Sequence, residues 1–265
     1  MLYFSICAIF RDEAPYLREW IEFHKLVGAE RFFLYDNESS DGSAEVLAPY
    51  VDSGEVLVRP WHLHPGQLPA YNDCVERHRE DSRWIALIDL DEFLFSPTGR
   101  PIPEILPDFE RWPAVGANWL NFGTSGHAEK PPGLVIESYL EHTRNPRARR
   151  TIKSIVDPRR VVTCDNPHYC KYEGDQLAVD EQKRPIEGPE YALTESPSRS
   201  LLRVNHYWTK SEEEFREKLG RRQAASGGGL RKQVAPQPGL VRDEAILRYV
   251  PALKEALSRR LRDSL

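Results

Sequence analysis

The chain has 265 residues, 40% hydrophobic and 10% aromatic, enough to bury a large core and to exclude a disordered chain. Its 36 Lys and Arg against 41 Asp and Glu leave a formal charge of -5, so nothing in the balance calls for nucleic acid, whose binders carry a basic face. Cys7, Cys74, Cys164 and Cys170 form no CxxC pair and repeat no spacing. They read as core or near-core thiols rather than as a zinc ribbon or a disulfide framework.

Tyr3 to Ile9 is an apolar, β-type run, too short for an ordinary buried helix. No basic leader precedes it and Arg11-Asp12-Glu13 ends it, which fits neither a signal peptide nor a membrane span; a cytoplasmic protein is expected. Asp12 can cap a helix, and Pro15 is tolerable in its first turn. Leu17, Trp20, Ile21, His24 and Val27 follow at helical spacing, and Gly28 sits where the helix ends. Arg31 to Tyr35 reads as a second strand, Ser43 to Val51 as a short helix and Glu55 to Arg59 as a third strand. Leu68 to His78 reads as a helix, and Trp84 to Asp89 as a strand that runs into acid. This alternation predicts an α/β fold, a mostly parallel Rossmann-like sheet with helices on both faces.

The second half is mixed. Ala114 to Leu120, Leu134 to Leu140, Thr151 to Val156, Arg160 to Cys164 and Leu201 to Tyr207 are strand-like. Ser211 and Glu214 form a capping box before a helix. Ser226 to Pro238 reads as a Gly-rich linker or lid. A last helix starts near Asp243, with Leu247, Val250, Leu253, Leu257 and Leu261 in an apolar stripe and Arg248, Lys254, Arg259, Arg260 and Arg262 on a basic face. Such a helix either packs on the body of the domain or makes a peripheral contact with an anionic membrane. The expected organisation is one domain over 1–225, with a nucleotide-binding half at 1–95 and a cleft-completing half at 96–225, then an extension over 226–265.

Ligands of open α/β sheets bind beyond the carboxyl ends of the parallel strands. Two acidic clusters fall at such ends: Asp36 to Ser43 after the second strand, and Asp89-Leu90-Asp91-Glu92 after the fourth. If the strand is still extended there, Asp89 and Asp91 share a side. Two carboxylates held together repel unless a cation lies between them, and hard oxygen donors with open positions suit Mg²⁺ or Mn²⁺. Asp36, at a strand tip, is a candidate contact for a ribose or base, while Asp41 and Ser43 suit a helix cap. His24, on an apolar helix face, reads as a packed core histidine, and His62 and His64 as solvated loop residues.

Residues Arg11 to His24, then Tyr35-Asp36-Asn37 with Ser40-Asp41-Gly42-Ser43, resemble the opening of glycosyltransferase family 92 and its bacterial relatives near family 2. Ile88-Asp89-Leu90-Asp91-Glu92-Phe93, Phe122 to His127, Lys153-Ser154-Ile155-Val156 and Asn205 to Ser211 resemble later blocks of that group, in order, over most of the chain. Asp12 stands where the family usually has asparagine. The resemblance implies a GT-A fold, a nucleotide-sugar donor, usually UDP-linked, and a divalent cation, Mn²⁺ or Mg²⁺. It further implies inverting transfer of a hexose, galactose being the best-known case, to a glycan or lipid-linked acceptor in polysaccharide biosynthesis. On that reading Asp89, Asp91 and His206 hold the metal, and Arg11, Glu13, Asp36, Asp89, Lys153 and Lys210 bind the nucleotide-sugar. His127 or Glu92 serves as the general base. Other readings are a metal-dependent nucleotidyl- or phosphotransferase and an inactive glycan-binding module, although the retained acids argue against the latter.

Overall fold

Both faces of the first strands are apolar, so both must be covered. On β1 (Leu2–Phe10), Phe4, Ile6, Ala8 and Phe10 face one helical layer and Cys7 faces the other. The computed structural model describes residues 1–143, 150–187, 192–226 and 240–263. β1 leads through α1 (Ala14–Leu26) to β2 (Arg31–Asp36), then through α2 (Ser43–Asp52) to β3 (Val56–Pro60). α3 (Gln67–Arg77) leads on to β4 (Ser82–Leu87), and these four strands are parallel. α1 and α2 cover one face of the sheet and α3 the other.

The second half adds β5 (Glu92–Phe95), β6 (Ala114–Asn121), the one-turn helix α4 (Val135–Ser138), β7 (Glu141–His142), β8 (Ile152–Val156), β9 (Val161–Asn166) and β10 (Tyr169–Tyr172). β11 (Val179–Asp180), β12 (Arg203–His206), α5 (Glu212–Ser226), β13 (Val241–Arg242) and α6 (Val250–Asp263) follow. The main sheet has nine strands in the order β3-β2-β1-β4-β8-β6-β12-β5, with β11 beside β6. β8 runs antiparallel to β4 and β6, and β5 to β12, while β12 and β11 run parallel to β6. The expected α/β class, mostly parallel with a mixed second half, is the architecture observed. Strand order reverses beside β1, because β2 and β4 lie on opposite sides of it.

Several local expectations change. Asp12 does not cap α1: its backbone is left-handed (φ 54°) and its Oδ1 accepts from the Ser40 amide at 2.7 Å. The Ala14 amide instead donates to Asp41 Oδ2 at 2.9 Å, so the cap comes from the β2–α2 loop and ties two strand tips together. Asp41 Oδ1 also accepts from the Ser43 amide at 3.0 Å, beside the start of α2. The strand expected over Leu134 to Leu140 is the short α4, because Glu19 of α1 accepts the Val135 and Ile136 amides at 2.9 and 3.1 Å. Cys164 and Cys170 are not thiols: they form a disulfide on the β9–β10 hairpin, whereas Cys7 and Cys74 are free and buried. His24 is a core histidine, as expected. Its Nε2 accepts the Leu94 amide at 3.1 Å, leaving Nδ1–H to donate to the Trp20 carbonyl at 2.8 Å.

The C-terminal helix packs on the domain. Ile246 and Leu253 are fully buried, Val250 and Leu257 pack against the same core, and α6 lies on α1. Arg203 donates twice to the Asp243 carboxylate, at 2.9 and 2.8 Å, and Tyr249 Oη donates to the Ser96 carbonyl at 3.0 Å. Among the described residues no helix is long and apolar enough to cross a membrane. The linker expected over Ser226 to Pro238 lies, beyond Ser226, outside the described residues.

Candidate functional site

Where the strand order reverses, the loops after β1 and β4 splay apart and leave a crevice at their carboxyl ends. A cavity of about 620 Å³ fills it, lined by Phe10, Arg11 and Glu13 after β1, Asn37 after β2, Gln67 of α3 and Asp89 to Asp91 after β4. The second half closes it with Trp119, His168, His206, Trp208 and Lys218. A smaller cavity of about 270 Å³ adjoins it, sharing Glu13, Trp208 and Lys218.

The acids do not sit on an extended strand. β4 ends at Leu87, and the chain turns through Asp89 to Asp91 before β5 departs. Asp89 accepts from Lys153 Nζ at 3.0 Å, Gln67 Nε2 at 2.6 Å and Tyr71 Oη at 3.1 Å. Asp91 Oδ2 pairs with Lys218 Nζ, and its Oδ1 lies 3.5 Å from His206 Nε2. Burial alone would raise the Asp91 carboxyl, but Lys218 and then His206 outweigh it and hold it well below the ordinary carboxylate range. Burial likewise opposes the charge on Lys153, yet Asp89 and Glu92 prevail and its pKa is raised.

His206 Nδ1 meets Asn121 Oδ1 at 3.0 Å, which fixes the ring and leaves Nε2 directed at Asp91. A hydrogen-bonded second nitrogen of this kind is how metal-binding histidines are oriented. Among the described residues, no three His, Cys, Asp or Glu side chains group as a ready-made metal centre. Asp91 and His206 are thus brought together, whereas Asp89 is engaged by Lys153, Gln67 and Tyr71.

The remaining predicted residues divide. Arg11 and Glu13 line the cavity. Asp36 stands at the β2 tip, but its Oδ1 accepts the Ser39 amide at 2.9 Å, and its neighbour Asn37 is the one lining the cavity. Lys210 lines the smaller cavity, 3.3 Å from the Tyr16 ring centroid and 3.9 Å from Glu13, with burial lowering its pKa. Glu92 is fully buried beneath the turn: its Oε2 accepts the Asp89 amide at 2.9 Å, and burial pushes its carboxyl well above the usual range. It is not among the residues lining either cavity. His127 points elsewhere, its Nε2 3.0 Å from the Ser138 carbonyl, and lines a separate cavity with Lys254 and Arg242. Neither candidate base faces the site.

Sequence reasoning missed Lys218, Trp208, Trp119 and His168. Lys218 was findable, since it lies seven residues past Ser211 on the face that the capping box defines. His168 carried no periodic signal; the β9–β10 turn brings it in, its Nδ1 held 3.0 Å from the Ile152 carbonyl, and burial lowers its pKa to about 4.

An open, mainly parallel sheet with a charged crevice at its switch point defines an α/β protein of the ligand-binding, doubly wound class. The profile of Glycosyltransferase family 92 matches residues 1–223. The chain belongs to that family. A glycosyltransferase family 92 protein of Oryza sativa subsp. japonica is 30% identical over 223 residues, covering 83% of this chain and 35% of its own length. A galactan beta-1,4-galactosyltransferase of Arabidopsis thaliana is 29% identical over 106 residues, 36% of this chain and 20% of that one. The chain thus spans about a third, or less, of the curated relatives it matches. Among solved structures, S. aureus TarS 1–349 aligns with a TM-score of 0.47 at 10% identity, over 84% of this chain and 65% of that one.

Proposed function

We propose that this chain transfers a hexose from a UDP-linked donor to a hydroxyl of a glycan or lipid-linked acceptor, with inversion at the anomeric carbon and with a divalent cation. The observation that carries the reading is the cavity at the switch point, which Asp91 and His206, 3.5 Å apart, line together with Arg11 and Glu13. Family membership supports the transfer, and the relative named a galactan beta-1,4-galactosyltransferase supports galactose as the sugar.

The donor occupies the larger cavity and the acceptor the smaller one, with Trp208 at their junction offering an aromatic face to a sugar ring. Asp91 and His206 fit Mn²⁺ or Mg²⁺ as protein ligands, the remaining positions falling to phosphate oxygens and water. Such a cation, when bound, offsets the charge that builds on the departing nucleoside diphosphate. Asp89 serves to hold the turn through Lys153. Glu13, on the wall common to both cavities, takes the acceptor proton in place of His127 and Glu92. The acceptor oxygen attacks the anomeric carbon opposite the diphosphate, which leaves with the bonding electron pair.

The test is release of UDP from UDP-hexoses in the presence of Mn²⁺ and an oligosaccharide acceptor, with product configuration read by NMR. Asp91→Asn is expected to lose roughly a hundredfold or more in turnover. Near-normal transfer by that variant would remove Asp91 from the metal role.

A further inference from the structure

α5 is fixed along one face. Ser211 and Glu214 close its first turn, and the Glu214 carboxylate also accepts from Tyr16 and Tyr139 hydroxyls, both at 2.5 Å. Phe215 is buried against Trp208, ring centroids 4.8 Å apart. Residues three and four positions on lie on the same helix face, so this anchoring aims Lys218 inward. Its ammonium pairs with Asp91 Oδ2, lies 3.3 Å from the Trp208 carbonyl, and lines both cavities. The carboxylate it covers is the one assigned above to a divalent cation. Ammonium and dication repel, so both cannot sit on that oxygen at full strength. A lysine displaced from Asp91 still faces the cavity that takes the diphosphate.

Resting on the transfer reading above, we propose that Lys218 is a leaving-group residue that exchanges partners. In the donor-free protein it neutralises Asp91; when Asp91 takes a divalent cation, its ammonium passes to the donor diphosphate. There it stabilises the charge that grows as the bond to the anomeric carbon breaks. The electron pair of the broken bond stays on the diphosphate.

Mn²⁺ binding to the donor-free protein, followed by electron paramagnetic resonance, reads the exchange without turnover. Lys218→Met is expected to bind Mn²⁺ about fivefold or more tightly than wild type, the scale of a partly exposed ion pair. Lys218→Arg, which keeps the charge, stays near wild type and guards against a packing effect. UDP binding at saturating Mn²⁺ moves the other way, weakening about tenfold in Lys218→Met through loss of a charge-assisted contact. Unchanged or weaker Mn²⁺ binding in Lys218→Met, or unchanged UDP binding, overturns the proposal. A wild type that binds UDP and Mn²⁺ yet transfers no sugar overturns the transfer reading instead, while the two binding measurements still decide the exchange.

Discussion

Two acids with a single residue between them are expected to repel, so removing one charge should stabilise the cation-free protein. The fold gives each acid its own cation instead, Lys153 for Asp89 and Lys218 for Asp91, and His206 Nε2 lies 3.5 Å from the latter. Asp91→Asn is therefore expected to lower the melting point slightly rather than raise it, which differential scanning fluorimetry without metal reads directly. His24 sets a second expectation at this scale. Burial lowers its pKa from 6.5 to about 3, and above 6.5 the imidazole is neutral whether the chain is folded or not. Below that value the unfolded chain takes up a proton that the folded chain refuses until about pH 3, so stability falls as the pH drops through this window. The slope from this one group is about 1.4 kcal/mol per pH unit. Urea unfolding of wild type and His24→Gln between pH 7 and pH 4 should show a flatter dependence in the variant, by about one proton. Equal slopes would mean that His24 titrates normally in the fold.

At the scale of elements, the turn that ends α1 sets the register between that helix and β2. The Gly28 amide donates to the Lys25 carbonyl at 3.0 Å and the Ala29 amide to the His24 carbonyl at 2.9 Å, a Schellman ending. Gly28 sits at φ +103°, and a Cβ built there would come within 2.5 Å of Pro103 Cδ. Gly28→Ala should cost about 1–3 kcal/mol, the scale of a strained backbone position. Chemical denaturation checks this, and an unchanged midpoint would show that the loop carrying Pro103 yields freely. Gly28 was legible in the sequence because a helix-ending glycine is a local signal. The α1 cap was not, because Asp41, the residue that supplies it, arrives from a different loop.

For the whole molecule, the outcome turns on how the C-terminal segment returns. Of the stripe that suits a membrane surface, Val250, Leu253 and Leu257 on α6 are used against the core, with Leu253 fully buried, while Leu261 stays exposed. Leu253→Ala should therefore destabilise the domain by about 2–5 kcal/mol, the range for emptying a buried leucine site. A loss below about 0.5 kcal/mol, the range of ordinary surface substitutions, would mean that the helix lies off the core in solution.

What the sequence by itself determined is local and periodic. Alternating apolar strands, Phe4-Ile6-Ala8 on one side and Cys7 on the other, dictate a sheet covered on both faces, hence an α/β fold. An acidic turn at the end of an apolar strand marks the crevice, and Ser211 with Glu214 marks the start of α5. The tertiary structure alone decided which side chains meet. Lys153 reaches Asp89 across 64 residues and Lys218 reaches Asp91 across 127, pairings that no spacing rule encodes. It also decided that Glu92 lies under the turn and that His127 faces the Ser138 carbonyl. Periodicity records which side of an element is buried, because burial repeats with the element's own geometry. Contacts between distant elements follow from strand order and packing, and those exist only once the sheet has closed.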